Sequence, residues 1–513
     1  MARAPLLLSI LLSAIFFGCE PTALPKDSPQ EPIRLALSFD EVSLPNKVGQ
    51  GEKMSSMQLG SIDDNLPFNP EGLEIGSIAW RTWIYTDTGP QRTRLGFLRA
   101  GAVVAARGPK IVNAGCQGGW LRINPRGFIC LGKGATTDLE HPVVRELRNY
   151  RPRMEGEFPY TYALSQREPP YRYFRLPSRQ QVKKIEGARA LDRGANWRER
   201  ARKQGLLDRW KIDEELPSFF SPTFSLVKPW GVEQYLRHQV HAGRFSRDSG
   251  FALVDFFLWQ GRAYGLTTEL DLIPMDRTSL PDRSELRGVE LPVGENFDFA
   301  FHHRGVVTLW EQTSSGAFRP HAEQRAKRVF LLTGERATGG MLKTKEGLWL
   351  AEPTVRVLKK RSHFPSIATG RRKWLDISIK NQTLVAYEGR RAVYATLVST
   401  GRGGMGDPET EHATVRGTFM IHEKLISDTM DGEEDRSDSF QLKDVPFVQY
   451  FHRGFALHGA YWHDEFGRAR SHGCVNLSPR DSAFLFSWTD PPLPKGWHGV
   501  QNKKRGTAVY VHR

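Results

Sequence analysis

The hydrophobic pattern changes character several times along the chain. Leu6 to Phe17 is one apolar run, and from Glu20 to about Gly72 apolar residues lose their periodicity among Pro, Ser, Asp, Asn and Gly. The first run is too short to span a bilayer as a mature helix, and the second stretch reads as a flexible tether. Between Leu73 and about Thr136, β-type runs at 78–85, 102–106, 120–123 and 127–131 alternate with turns, which predicts a small barrel. Ser178 followed three residues later by Gln181 forms a capping box, and sparse apolar positions among many Lys and Arg carry a basic helical region to about Trp210.

β patterning returns from about Phe224 to Leu358, with runs at 251–259, 305–310, 329–332 and 348–350. From Trp374 the alternation becomes strict: 374–379, 383–387 and 392–399 predict a β-meander, and 414–419 leads into a further strand. Residues 427–438 form an acidic loop whose spacing does not fit a calcium-binding EF-hand and which reads as a solvent-facing lid. Ser478-Pro479-Arg480-Asp481 supplies an N-cap serine, an N1 proline and an N3 acid for a helix to about Trp488, and 506–511 gives a last strand. The fold class expected is mainly β. The texture divides the chain into 1–18, a leader; 19–72, the tether; 73–136, a small β module; 137–223, basic and partly helical; 224–370, a β-rich middle domain; and 371–513, the last domain.

Composition adds bounds. A chain of 513 residues is too long for one ordinary domain, and its 39% apolar and 25% charged content is that of a globular protein. The net charge of +15 calls for an anionic neighbour without choosing among nucleic acid, membrane surface and acidic wall polymer. The N-terminus narrows that choice. Met1-Ala2-Arg3 is a minimal basic region ahead of the apolar run, and Gly18-Cys19 ends it, so the chain reads as an exported precursor and nucleic acid drops out. That ending resembles a bacterial lipobox, with Phe16 where the family usually has leucine. The resemblance implies lipidation of Cys19 and a membrane anchor in the periplasm, against plain secretion with an incidental cysteine.

Only four cysteines are present. In an oxidising compartment free thiols normally pair, and Cys116 and Cys130, close in sequence around a Gly-rich turn, are the natural disulfide. Cys474 is left alone in Ser471-His472-Gly473-Cys474-Val475-Asn476-Leu477, downstream of His458-Gly459. A thiol of reference pKa about 8.5 is mostly protonated at neutral pH, so a nucleophilic cysteine needs a positioned base. An inert buried cysteine would fit poorly with such neighbours. No His-Glu-x-x-His, paired Cys-x-x-Cys or P-loop occurs, so the sequence implies no metal and no cofactor.

Several motifs stand in a recognisable order: Ile-x-Ile-x-x-Gln-x-Leu-x-x-Tyr from Ile377 to Tyr387, Val398-Ser399-Thr400-Gly401, Thr414-x-x-Gly417-x-Phe419, His458-Gly459 and Ser471 to Asn476. Together they resemble the YkuD-type L,D-transpeptidase catalytic domain over about Trp374 to Arg513, with Val415 where the family usually has proline. The resemblance implies a β-sandwich with a short helix after the catalytic loop. It also implies a peptidoglycan L,D-transpeptidase with Cys474 as nucleophile and His458 as general base, oriented by the Gly459 carbonyl. The backbone N–H groups of His472, Gly473 and Cys474 would receive the oxyanion. Ser471, His472 and Asn476 would shape the turn and pocket, while Tyr450 and Trp462 would flank substrate or simply pack the core. The donor would be a peptidoglycan stem peptide and the acceptor a second stem or a wall-linked protein. A hydrolase of the same fold that trims stems or releases wall-bound protein is the alternative, and a non-catalytic wall-binding lipoprotein is the alternative of another class. A papain-like protease is excluded by order, because His458 precedes Cys474. Upstream, the Leu-x-x-Gly turn at 98–101, Gly118-Gly119-Trp120-Leu121 and Gly127-Phe128-Ile129-Cys130 resemble bacterial SH3-like modules that bind stem peptides. Gly347-Leu348-Trp349-Leu350 echoes the second of these and hints at another such unit.

Overall fold

The computed structural model describes residues 72–513 except 211, 213–215, 217–219, 221–226, 235–237, 293–297, 326 and 432–439. The leader, the tether, Cys19 and most of the acidic loop lie outside the described residues.

Strands 373–378, 383–388, 391–397, 417–420 and 508–512, with the short strand 289–290 from further upstream, form a six-stranded sheet in the order 289–290, 391–397, 383–388, 373–378, 508–512 and 417–420. Two neighbouring strands, Lys373–Ser378 and Ala508–His512, run parallel, with Trp374 opposite Ala508 and Ile377 opposite Val511. A second sheet is built from Glu423–Asp431, Gln441–His452, Phe455–Gly459 and Val475–Leu477. Apolar residues from both sheets (Leu375, Ile377, Val509 and Val511 facing Leu457, Val475 and Leu477) meet in one buried layer with Leu485 of the helix Pro479–Trp488. This is the sandwich expected of alternating strands. The helix starts at the predicted cap: Ser478 Oγ accepts from Asp481 N–H at 3.1 Å and Pro479 occupies the first turn.

The second sheet does not stop at the sandwich. Glu423–Asp431 pairs with Gly499–Gln501, which pairs in turn with Arg94–Leu98 of the N-terminal β module. That module comprises strands between Glu74 and Thr136, and Cys116 is bonded to Cys130 across neighbouring strands. Its core includes Trp497 and Val500 from the far end of the chain.

The basic region does not form one long helix. Helices Arg179–Glu186, Ala190–Lys203 and Leu206–Arg209 are separated at Gly187 and Gly205, both with positive φ, after the capping box at Ser178. The same region contains the strands Thr161–Ser165 and Tyr171–Tyr173, which pair with Gly250–Trp259 and His241–Arg244. The expected middle domain 224–370 is therefore not one body in its hydrogen bonding. Its first strands join those of the preceding region, Val289–Glu290 edges the six-stranded sheet, and strands between Asp298 and Leu358 form a separate seven-stranded sheet. Periodicity marks a strand without naming its partner, which is why the boundary at 223/224 misses these pairings.

Candidate active site

The parallel strands Phe455–Gly459 and Val475–Leu477 set the geometry of the site. Leu457 stands opposite Val475 and His458 opposite Asn476. Side chains alternate along strands, so Cys474, two residues before Asn476, faces the same side as His458. A pocket of about 720 Å³ opens there, and its lining includes Cys474, His458, Ser471, His472, Asn476, Tyr450 and Trp462.

His458 is buried, with Nδ1 3.3 Å from the Gly459 carbonyl. A carbonyl only accepts, so Nδ1 carries the proton and Nε2 is the basic nitrogen. Burial pushes the ring's pKa down to about 4, the Gly459 contact opposing the shift. Trp462 stacks on the ring at a centroid distance of 5.7 Å. Gly459 fits where a side chain would not: a Cβ would come within 2.5 Å of Ser482 Oγ on the helix behind it. Cys474 retains an edge toward the pocket, with Sγ 3.7 Å from the Gly454 carbonyl. Its sulfur lies deep enough that desolvation pushes the thiol up to about 11.

The loop before Cys474 is held from several directions. Thr414 Oγ1 donates to the Gly473 carbonyl at 2.7 Å and accepts from Gly401 N–H at 2.8 Å. Ser471 Oγ donates to the Cys474 carbonyl and accepts from Gly473 N–H at 3.1 Å. That last contact corrects an expectation, because the Gly473 amide is committed to Ser471 and is not presented to an oxyanion. Gly473 itself has φ of 132°, and a Cβ there would meet Phe455 Cε1 at 2.8 Å. Gln382 explains the Gln of the first motif: its amide brackets Thr400, accepting from the backbone N–H at 2.9 Å and donating to Oγ1 at 2.6 Å. The Thr400 carbonyl then receives the N–H groups of Arg470 and Ser471. His472 is exposed, in edge contact with His412 and beside Phe440.

Tyr450 donates to Asp428 Oδ2 at 3.1 Å, and Asp428 pairs with Arg81 at 2.7 Å, a residue of the N-terminal module. Burial, then Asp428, raises the Tyr450 phenol. Asp248, Met430, Phe440, Leu442, Arg402 and Arg470 also line the pocket. None was legible as a site residue, and Asp248 comes from outside the catalytic motifs altogether. His463 was missed as well, although a second histidine five residues after His458 was a visible signal; its Nε2 lies 2.9 Å from the Asn476 amide. The Cys116–Cys130 disulfide takes no part in the pocket lining.

Residues 372–511 match the family model of the L,D-transpeptidase catalytic domain, YkuD. A Bacillus subtilis (strain 168) protein named "Putative L,D-transpeptidase YciB" is 22% identical over 192 residues, covering 35% of this chain and 90% of that one. Among solved structures, the L,D-transpeptidase of Xylanimonas cellulosilytica is 23% identical, covering 29% of this chain and 65% of its own, with a TM-score of 0.21. The catalytic domain of the Enterococcus faecium L,D-transpeptidase is 22% identical, covering 28% of this chain and 98% of its own, also with a TM-score of 0.21. Scores this low carry no argument, and the family model leaves residues 1–371 outside its match. Within these bounds, residues 372–511 are an L,D-transpeptidase catalytic domain of the YkuD family.

Proposed function

We propose that the protein is a cysteine-dependent acyltransferase acting on peptidoglycan stem peptides. The observation that carries this reading is the pairing of Cys474 and His458 on one wall of one pocket, with His458 Nδ1 committed to Gly459 so that Nε2 is left as the base. His458 Nε2 takes the proton of Cys474, and the sulfur attacks the carbonyl carbon of a stem-peptide amide. The oxyanion is received by the backbone N–H groups of Cys474 and His472, the Gly473 amide being engaged by Ser471. When the C–N bond breaks, the imidazolium returns the proton to the departing amine, D-alanine, and a thioester remains. A second amine, deprotonated by His458, attacks the thioester and restores the thiol.

Tyr450 and Trp462 flank the bound peptide in this reading. Residues 73–136, as an SH3-like module, hold the wall polymer, and a lipid on Cys19 keeps the enzyme at a periplasmic membrane. Incubating the protein with muropeptides and analysing the products by mass spectrometry tests the reading. Cross-linked dimers, or an amine exchanged for D-alanine, are expected and disappear in Cys474→Ser. Trimmed monomers alone would replace transfer with hydrolysis, and no Cys474-dependent product would overturn both.

A further inference from the structure

The His463 ring lies between the backbone of Glu465 and the side chain of Asn476. Glu465 N–H donates to Nδ1 at 3.1 Å, and Nε2 stands 2.9 Å from the Asn476 amide. A ring that accepts at Nδ1 is a neutral imidazole with its one proton on Nε2. Burial, with Arg470, His458 and Lys327 nearby, favours the same neutral state. A backbone N–H cannot reverse its role, so Nε2–H must donate, and the Asn476 atom that faces it must be the carbonyl oxygen. Amide oxygen and nitrogen are alike in shape, and hydrogen-bond chemistry decides between them. The Asn476 amide nitrogen therefore occupies the other branch. That branch is buried and has no hydrogen-bond partner among the described residues, and Asn476 lines the pocket beside Cys474. A buried polar branch without a partner is costly unless something arrives to meet it.

We propose that His463 is a positioning residue that locks Asn476 with its NH₂ group facing the pocket, as a hydrogen-bond donor to a carbonyl oxygen of the acyl-donor peptide. The proposal rests on the acyltransferase reading of Cys474. No covalent step involves His463. The amide plane is set before substrate binds, and the donor meets its acceptor without reorganisation.

The test compares His463→Gln and His463→Leu in a full-length Cys19→Ser background, where Cys474 is the one unpaired thiol. Glutamine keeps an amide N–H near the position of Nε2 and should retain at least a third of the wild-type rate of thioester formation with a muropeptide. Leucine removes the donor and should lose about tenfold, the worth of one hydrogen bond. Both should react with a small disulfide reagent at the wild-type rate. Wild-type acylation in folded His463→Leu, equal losses in the two variants, or a slowed disulfide reaction in His463→Leu would overturn the proposal. Imidazole ¹⁵N spectra of histidine-labelled wild-type protein decide if the variants do not fold: protonation at Nε2 supports it, and protonation at Nδ1 overturns it. If wild-type protein acylates with no muropeptide, the acyltransferase reading fails, and the spectra still decide the orientation of Asn476.

Discussion

A disulfide reagent reacted with Cys474 across a range of pH is expected to report a neutral thiol beside a neutral imidazole. Burial pushes Cys474 up to about 11 and His458 down to about 4, so neither group is charged in the empty pocket near pH 7. At that pH about one Cys474 in 10⁴ is thiolate, against about one in 30 for an ordinary thiol, a deficit of about 300-fold. A more basic thiolate is intrinsically more nucleophilic, and a Brønsted slope of about 0.45 over roughly 2.5 pKa units returns about tenfold. The net expectation is a reaction about 20- to 30-fold slower than that of a free cysteine at pH 7, rising about tenfold per pH unit through pH 9. Steric shielding would slow the reaction at every pH alike, so the slope is the informative quantity. The assay uses Cys19→Ser protein with the disulfide intact, follows the released thiol, and takes a small cysteine peptide as reference. A thiolate–imidazolium pair would instead give a rate that is flat between about pH 5 and 8. A plateau there would refute the neutral pair.

Removing the base separates it from thiol ionisation: His458→Ala should leave that pH profile nearly unchanged and lower muropeptide acylation by about 10²- to 10⁴-fold, whereas unchanged acylation would hand the base role to His472. Gly473→Ala should abolish acylation in a folded protein, since its Cβ would sit 2.8 Å from Phe455 Cε1 at a φ of 132°, and near-wild-type thioester formation by mass spectrometry would contradict this. Reducing the Cys116–Cys130 bond, which spans 14 residues, should lower stability by about 3 kcal/mol in denaturant titrations, with no change expected when Cys130→Ser protein is reduced. Stability should also fall from pH 7 to pH 5. Burial lowers His458 to about 4 and His463 to about 3, so the unfolded chain takes up protons below about 6.5 that the folded one refuses; stability is full above that value and is lost as pH falls toward the folded values, by about 2 kcal/mol per ring at pH 5. Equal midpoints at the two pH values would show that the rings are not buried neutral.

What was legible in the sequence is what local chemistry writes there. Ser478, Pro479 and Asp481 announce a helix start because the cap, the fixed φ and the N3 acid act within one turn, and the strands from Lys373 to Leu397 stand out as short apolar runs between turns, buried along nearly their whole length because both faces of the sheet are covered. Cys474 and His458 stood out by residue type and order. The contacts that make them a site are long-range and carry no local mark: Thr414 reaches the Gly473 carbonyl, and Gln382 fixes Thr400, which in turn fixes Ser471. The engagement of the Gly473 amide is likewise unmarked in the sequence. Glycine before a nucleophile suggests an open N–H, and only the position of Ser471 Oγ shows that it is taken.

The division at residue 370 separates motifs without separating hydrogen bonds, and Asp444 is where this matters most. Its carboxylate is buried, accepts from Arg99 at 2.5 Å, from Thr268 at 2.5 Å and from Ser427 at 2.7 Å, and its backbone carbonyl accepts from Tyr162 at 2.6 Å. Burial alone would raise its pKa, yet Arg99 and the hydroxyl donors hold it below the usual carboxylate value. The carboxylate's donors come from the N-terminal β module, the middle segment and the catalytic domain, so one charge in the catalytic sheet is satisfied by three segments, while the basic region supplies the donor to the backbone carbonyl of the same residue. Removing one partner of such a pair costs about 3–5 kcal/mol because the other is left buried and uncompensated. The pocket depends on the same arrangement. Tyr450 is held by Asp428, which Arg81 of the N-terminal module holds in turn, and Asp248 of the middle segment joins the lining. The residues ahead of the catalytic motifs therefore complete the sheet and the pocket wall beside Cys474.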